Sequence, residues 1–387
     1  MRFVRRAAII TGIVLVVYLA IDWSVGLYFA YQERESKPNL AAIPGYQGQP
    51  YAVPEFALDV EGAAWLYTIP GTRLLSPDEY HSRYVNIDRV PPTGNFYRRT
   101  VNPPVTKPPP LTVLFLGGST VYGADTPDDL TMASQLSAIL NSEDSRHSYV
   151  VLNAGVAALD STLERERLAY EIARGLKPDI VVVLDGGLDI IGGIYLGSPG
   201  RPVVAGRSRL GELFFKYFPI NIYRHLRIWA ANRLAEYRLK PTPSTVSDPN
   251  RLPRLTAETA RIYEDNQRAM AKMTADHGGR FLAVLEPNRY GTQYDHPTPD
   301  LDFVARETDG RMPGLSGLLP GALKALGEGL ARLRSEGIET LDLSAVFKDK
   351  TGNVFTTTTA HLNATGSRIV AERIAQVILR WGPVSPP

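Results

Sequence analysis

From Leu111 onward, short apolar runs alternate with stretches of helical period. The runs are Leu111–Leu116, Tyr149–Leu152, Ile180–Leu184, Phe281–Leu285 and Thr340–Leu343. Several are continuous Val, Ile and Leu, the composition of strands buried on both faces. The helices between them have readable ends. Ser161 and Glu164 have capping-box spacing, and Gly175 follows that helix. Thr256 to Ala275 predicts a helix stopped by Gly278-Gly279, and Asn363 caps a last helix running to Arg380. Such alternation predicts an α/β domain, a parallel sheet with helices on both faces. Active sites of such domains form beyond the carboxyl ends of the strands.

The N-terminus has a different pattern. Ala7 to Tyr31 is nearly all apolar, with Asp22 its one charge, and a bilayer-spanning helix needs about 20 such residues. Arg2, Arg5 and Arg6 precede it and hold the N-terminus in the cytoplasm by the positive-inside rule. Trp23, Tyr28 and Tyr31 cluster at the far end like an aromatic belt. Asp22 lies about 23 Å along the helix from Ala7, near the outer interface, where it reaches water. The alternative is a cleaved signal peptide, although no clear A-x-A site follows. Either way the rest of the chain is exported, which predicts a single-pass protein of the bacterial inner membrane with its C-terminal domain in the periplasm or outside. The expected organisation is a cytoplasmic tip and transmembrane anchor over 1–32, a Pro-rich tether packing irregularly on the domain over 33–110, and the α/β domain over 111–382.

An insertion over 191–253 interrupts the alternation. Between Arg201 and Lys240 it carries nine Lys and Arg against two Glu, interleaved with Phe214, Phe215, Tyr217, Phe218, Tyr223, Trp229 and Tyr237. It reads as an amphipathic helical cap on the core. A basic aromatic face for anionic lipid or glycan is the sharper alternative.

Composition narrows the function. The chain is 44% hydrophobic and 21% charged, which excludes disorder as its main state. Its 42 Lys and Arg against 40 Asp and Glu give +2, no electrostatic case for nucleic acid. With no cysteine, disulfides, thiolate metal sites and cysteine nucleophiles are out. Six scattered histidines predict no zinc site, and no dinucleotide, P-loop or H-E-x-x-H motif occurs, so no cofactor or metal is expected. Asp128-Asp129 reads as a solvated pair in a loop or at a helix start. His296 reads as a loop residue.

The candidate chemistry lies at strand ends. Leu114-Phe115-Leu116-Gly117-Gly118-Ser119-Thr120 puts a serine straight after a buried strand, on a glycine turn whose backbone N–H groups can face an oxyanion. Val151-Leu152-Asn153-Ala154-Gly155 is a second strand ending in glycine, and Gly155 offers another N–H. Val183-Leu184-Asp185-Gly186-Gly187-Leu188-Asp189 is a third. His361, in Ala360-His361-Leu362-Asn363-Ala364-Thr365-Gly366, stands before the last helix, where a general base for a strand-end serine belongs.

These four blocks, in this order, resemble the SGNH/GDSL hydrolase family over about Leu111 to Arg380. The resemblance implies a three-layer flavodoxin-like fold with a five-stranded parallel sheet, and ester hydrolysis through an acyl-serine. It implies Ser119 as nucleophile, the N–H groups of Ser119 and Gly155 as oxyanion donors, and His361 as base. Leu285-Glu286-Pro287-Asn288 is similar to the fourth strand of membrane-anchored members. Tyr84-Val85-Asn86 and Arg98-Arg99-Thr100 are similar to their pre-domain segment. Two family positions are degenerate. Leu188 replaces an oxyanion asparagine, and Thr358 replaces the aspartate three residues before the histidine. Losing one oxyanion donor costs roughly 10²–10³ in rate and losing the aspartate roughly 10⁴. Asp189, Asp185 and Glu286 are the candidate acid partners for His361.

Two functions follow. One is a membrane-anchored, periplasm-facing esterase or acyltransferase acting on ester bonds, with O-acyl groups of cell-envelope glycans as the substrate class. The other is a catalytically impaired binding or scaffold subunit of a membrane protein complex. In both, membrane lipid is a partner through the N-terminal helix.

Overall fold

The computed structural model describes residues 2–35, 39–64, 66–69, 71–202 and 250–381. Residues 203–249, the greater part of the basic aromatic insertion, lie outside the described residues.

Arg2–Glu35 is one helix, and within it Ile9–Tyr28 has a mean hydropathy of 2.0 and the length to cross a membrane. Its apolar side chains from Ile9 to Leu19 are exposed. Asp22 departs from the sequence expectation: it is 1% exposed, shielded from water, and it has a partner, as burial of a charge demands.

The domain begins at Asn39. Its strands are β1 (Leu66–Thr68), β2 (Leu75–Pro77), β3 (Tyr80–His81), β4 (Asn86–Val90), β5 (Asn95–Arg98), β6 (Leu111–Gly117), β7 (Tyr149–Asn153), β8 (Ile180–Asp185), β9 (Arg280–Leu285) and β10 (Thr340–Asp342). β1 and β2 form a separate hairpin. The remaining eight make one sheet in the order β10-β9-β8-β6-β7-β5-β4-β3. The five expected strands, β6 to β10, are parallel to their neighbours among themselves. Counted from β6, their order is 2-1-3-4-5, the flavodoxin-like winding.

Alternate residues of these strands serve opposite faces. Val113, Phe115, Val182, Leu184, Leu282 and Val284 pack with the helices Met132–Glu143 and Ala364–Arg380. Leu114, Leu116, Val181, Val183, Ala283 and Leu285 pack with the helices Ser161–Ala173, Leu252–Asp276 and Leu315–Ser335. Every residue of β8 is buried, which is why its sequence is continuously apolar up to Asp185.

Two local expectations change. The cap of the helix Ser161–Ala173 is Asp160, whose carboxylate accepts from the Leu163 N–H at 3.0 Å. Ser161 is the first helical residue, and its hydroxyl donates to Asp189 and accepts from Asn266. The segment read as an irregular tether is instead folded. β3, β4 and β5 extend the sheet antiparallel, and β5 meets β7 at Arg98 opposite Asn153. The segment has an apolar core of its own, built on Tyr46, Tyr51, Phe56, Leu74, Leu75, Val85 and Phe96. That core includes Tyr122, Val156, Leu159 and Leu163 of the α/β layer.

Arg98 joins the two parts. Its guanidinium is buried, donates to Asp128 Oδ1 at 2.7 Å and to the Thr126 carbonyl at 2.9 Å, and lies over the Tyr122 ring. Asp128 also accepts from the Asn86 side chain at 2.7 Å. It is a buried partner rather than the solvated carboxylate that its acidic neighbour suggested. Breaking a buried pair from one side strands the other charge, at a cost of about 3–5 kcal/mol. Arg98→Ala is therefore expected to lower unfolding stability by about that amount, measured by urea titration with intrinsic fluorescence.

Candidate active site

The winding reverses direction around β6, and the carboxyl ends of β6 and β8 flank the switch point where such sheets hold their ligands. A cavity of about 170 Å³ lies there, lined among others by Gly118, Ser119, Asp185, Leu188, Glu286 and His361.

Each element delivers its residue for a local reason. β6 ends at Gly117, where a Cβ would sit 2.3 Å from the Val121 side chain and 2.6 Å from the Leu184 carbonyl, so the chain turns with backbone packed on backbone. Ser119 opens a single helical turn, Ser119–Tyr122. Gly123 ends it in the left-handed region at φ 76°, and the N–H groups of Gly123 and Ala124 both return to the Ser119 carbonyl, at 3.1 and 3.2 Å. This reversal keeps residue 125 beside the serine. His361 sits on a loop closed by the isolated bridge Phe355 to Leu362 and by the Asn363 cap on Gly366 N at 2.9 Å.

Ser119 and His361, 242 positions apart, meet with Oγ to Nε2 at 2.7 Å. The other ring nitrogen, Nδ1, lies 2.9 Å from Oδ2 of Asp125. With the proton on Nδ1, His361 donates to Asp125 and accepts from the Ser119 hydroxyl. None of the acid partners considered from sequence takes this place. Asp189 accepts from Ser161, Asp185 accepts from Gln267 at 2.8 Å, and Glu286 accepts from Gly187 N at 2.8 Å and Thr120 Oγ1 at 3.1 Å. Thr358 accepts from the His361 backbone N–H at 3.1 Å, holding the turn rather than the imidazole. Asp125 was missed because it follows the serine by six residues instead of preceding the histidine by three. The available signal was Gly123, which stops the helix after one turn.

Electrostatics follow from burial and pairing. Burial alone raises Asp125. The charge of His361 and hydrogen bonds from His361, Thr356 and Tyr46 outweigh it and hold the carboxyl below its usual range. Burial alone lowers His361. The charge and hydrogen bond of Asp125, joined by the charge of Glu286, overcome that and the opposing Arg311, and raise the imidazole above 6.5. Glu286 is pushed up to about 7, by burial first and by Asp185 as well. Asp185 is pushed up to about 6, again by burial first.

Gly155 does not fit its expected part. Its N–H donates to Asn153 Oδ1 at 3.1 Å, and the residue does not line the cavity. It is glycine for packing, since a Cβ would stand 2.4 Å from Tyr122 N. Nearby, Ala158 holds φ at 66°, a strained value for a residue with a Cβ, next to Leu159 in the cavity wall. Leu188 lines the cavity and offers no donor. His296 is exposed and does not line it. Among the described residues no group of three or more His, Cys, Asp or Glu is arranged to hold a metal.

No family model and no curated protein matches the chain. Several solved structures are similar to it. A member of the lipolytic G-D-S-L family from Veillonella parvula is 12% identical over 70% of this chain and 100% of its own, with a TM-score of 0.39. A lipase/acylhydrolase from Enterococcus faecalis is 12% identical over 69% and 95%, with a TM-score of 0.40. A variant of an acetyl-xylooligosaccharide esterase from Geobacillus is 13% identical over 72% and 97%, with a TM-score of 0.37. Values this low carry no argument about chemistry and leave it to the geometry around Ser119.

Two outcomes test that geometry. Ester hydrolysis by this trio needs neutral His361, so the acid limb of kcat/KM should have its midpoint above pH 6.5. Asp125→Asn removes the largest raising influence and leaves burial, so the midpoint should move down while kcat falls about 10⁴-fold. Thr358→Asp should bring no gain in kcat, because the imidazole already has its carboxylate.

Proposed function

We propose that this chain is a membrane-anchored serine hydrolase acting on ester bonds, with its α/β domain on the periplasmic or outer side. The observation that carries the reading is the unbroken line Ser119 Oγ, His361 Nε2, His361 Nδ1, Asp125 Oδ2, with contacts of 2.7 and 2.9 Å at its two junctions. Nucleophile within reach of base, and base oriented by a third group, is the arrangement acyl transfer requires.

The steps follow from the contacts. Ser119 Oγ attacks the acyl carbon and His361 Nε2 takes its proton. The imidazolium that forms is stabilised by Asp125, which stays ionised. The developing oxyanion faces the backbone N–H of Ser119, the first of a helical turn and so without an intrahelical partner. The alcohol leaves with the proton from His361. A water, deprotonated by the same nitrogen, then releases the acid from the acyl-serine. With Leu188 in place of a donor and Gly155 engaged elsewhere, the oxyanion site lacks two donors, each worth about 10²–10³ in rate. The larger penalty of a missing aspartate does not apply, and that removes one of two grounds for a scaffold role.

The substrate class is a short O-acyl ester. Ligand pockets usually span about 300–1,000 Å³, and this one, at about 170 Å³ with Leu159, Leu188, Ile191, Met312 and Leu319 in its wall, suits an acetyl-sized group. Glycans of the cell envelope carry such groups within reach of an exported, anchored domain.

A fluorophosphonate probe on the full-length protein is expected to label Ser119. Labelling should vanish in Ser119→Ala and drop sharply in His361→Ala, and a well-folded wild type that takes no label would refute the reading. Among aryl esters, kcat/KM should fall as the acyl chain lengthens from acetyl to octanoyl. A reporter enzyme active only in the periplasm, fused after Pro387, should be active.

A further inference from the structure

This inference rests on the hydrolase reading and deepens it at the same site. Glu286 is buried and lines the cavity, yet no step of the reaction uses it. A carboxyl group taken out of water needs partners. Those of Glu286 lie beside the reacting residues.

The sheet fixes where Glu286 stands. It follows β9 directly, and its backbone N–H donates to the Asp185 carbonyl at 2.9 Å, carrying the pairing of β9 with β8 one residue further. Each side-chain oxygen then takes one donor. Oε1 accepts from Gly187 N at 2.8 Å, and Oε2 accepts from the Thr120 hydroxyl at 3.1 Å. Thr120 follows Ser119, and Gly187 precedes Leu188 of the cavity wall. The fit at Gly187 is close, since a Cβ there would lie 2.2 Å from Oε1. Three residues further on, the same segment grips the loop of the base. Arg289 N donates to the Thr359 carbonyl at 2.8 Å, two positions before His361. That loop has a second anchor in the 3₁₀ turn Pro44–Tyr46. Asn353 Nδ2 donates to the Pro44 carbonyl at 2.7 Å, and Asn363 Nδ2 to the Gly45 carbonyl at 2.8 Å.

We infer that Glu286 is a positioning residue of the hydrolase: its carboxylate brackets the turn that carries Ser119 against the β9 end that also holds the His361 loop, and so sets the spacing of nucleophile and base.

The bracket serves both forms of the acid, whose carboxyl burial pushes up to about 7. Once protonated, Glu286 donates to Thr120 Oγ1, and the Thr120 proton turns to the Ala360 carbonyl, 3.5 Å away. Glutamine imitates this second form, because its oxygen accepts from Gly187 N while its amide donates to Thr120. Alanine has neither contact. Valine at position 120 keeps the shape of threonine and removes the hydroxyl, and serine returns the hydroxyl.

The test uses the full-length protein as wild type, Glu286→Gln, Glu286→Ala, Thr120→Val and Thr120→Ser. Aryl acetate kinetics give kcat and KM. NMR of histidine-labelled protein gives the His361 ring resonances whether or not ester is turned over. Loss of a hydrogen bond to a charged group corresponds to about ten- to a hundredfold, expected in kcat for Glu286→Ala and Thr120→Val. KM should stay within about twofold, as for an interaction that acts on the transition state alone. Glu286→Gln and Thr120→Ser should recover most of the loss, and that pattern supports the bracket. A folded, active Thr120→Val with kcat within about twofold of wild type overturns it, whether or not Glu286→Ala folds. So does Glu286→Gln as slow as a folded Glu286→Ala. An inactive wild type whose His361 resonances move in Thr120→Val and return in Thr120→Ser would refute the hydrolase and leave the bracket standing. Resonances indifferent to both substitutions would refute the bracket as well.

Discussion

Asp125 is a buried carboxylate with no Lys or Arg bonded to it among the described residues, and its surroundings are organised around compensating its charge through His361 and through hydrogen bonds. Its partners Thr356, Thr357 and His361 all come from the loop before the last helix. Strand β6 sets the serine, but without the ionised Asp125 the histidine is neither raised in pKa nor held in the tautomer that accepts from Ser119.

The loop bearing Asp125 is secured from its other side by a second buried charge. Arg98 binds the Thr126 carbonyl and Asp128 and reaches the Gly123 carbonyl, so residues on both sides of Asp125 are tied to strand β5. A residue of the antiparallel extension thereby fixes the acid of the parallel core. The extension is not an ornament on the sheet edge. Its apolar cluster includes Leu159, which lines the cavity.

What the sequence made legible follows from burial. The five parallel strands are continuous apolar runs because both faces are covered, and their ends fell within a residue or two of the observed ones. Ser119 and His361 could be singled out because strand-end turns and helix caps have local signatures. The extension strands could not. β3 to β5 are two to five residues long and carry Asp88, Arg89 and Arg98, a charged pattern whose meaning appears only once Asp128 stands opposite Arg98. Asp125 was hidden for a related reason. Nothing in Gly-Ala-Asp-Thr-Pro distinguishes a catalytic carboxylate from a solvated one until the chain folds back at Gly123. Gly155 was misleading because glycine marks close backbone approach as often as a free N–H.

The nucleophile and its acid sit on one short reversal of the chain, while the base arrives from position 361. On the proposed reading, the part of the chain that follows the anchor across the membrane displays hydroxyl and carboxylate early and together, yet stays chemically silent. On that reading the trio is complete only when the loop bearing His361 has seated itself against Pro44 and Gly45. The order of residues along the polypeptide would thus act, on the proposed reading, as a timing device, with the base supplied last.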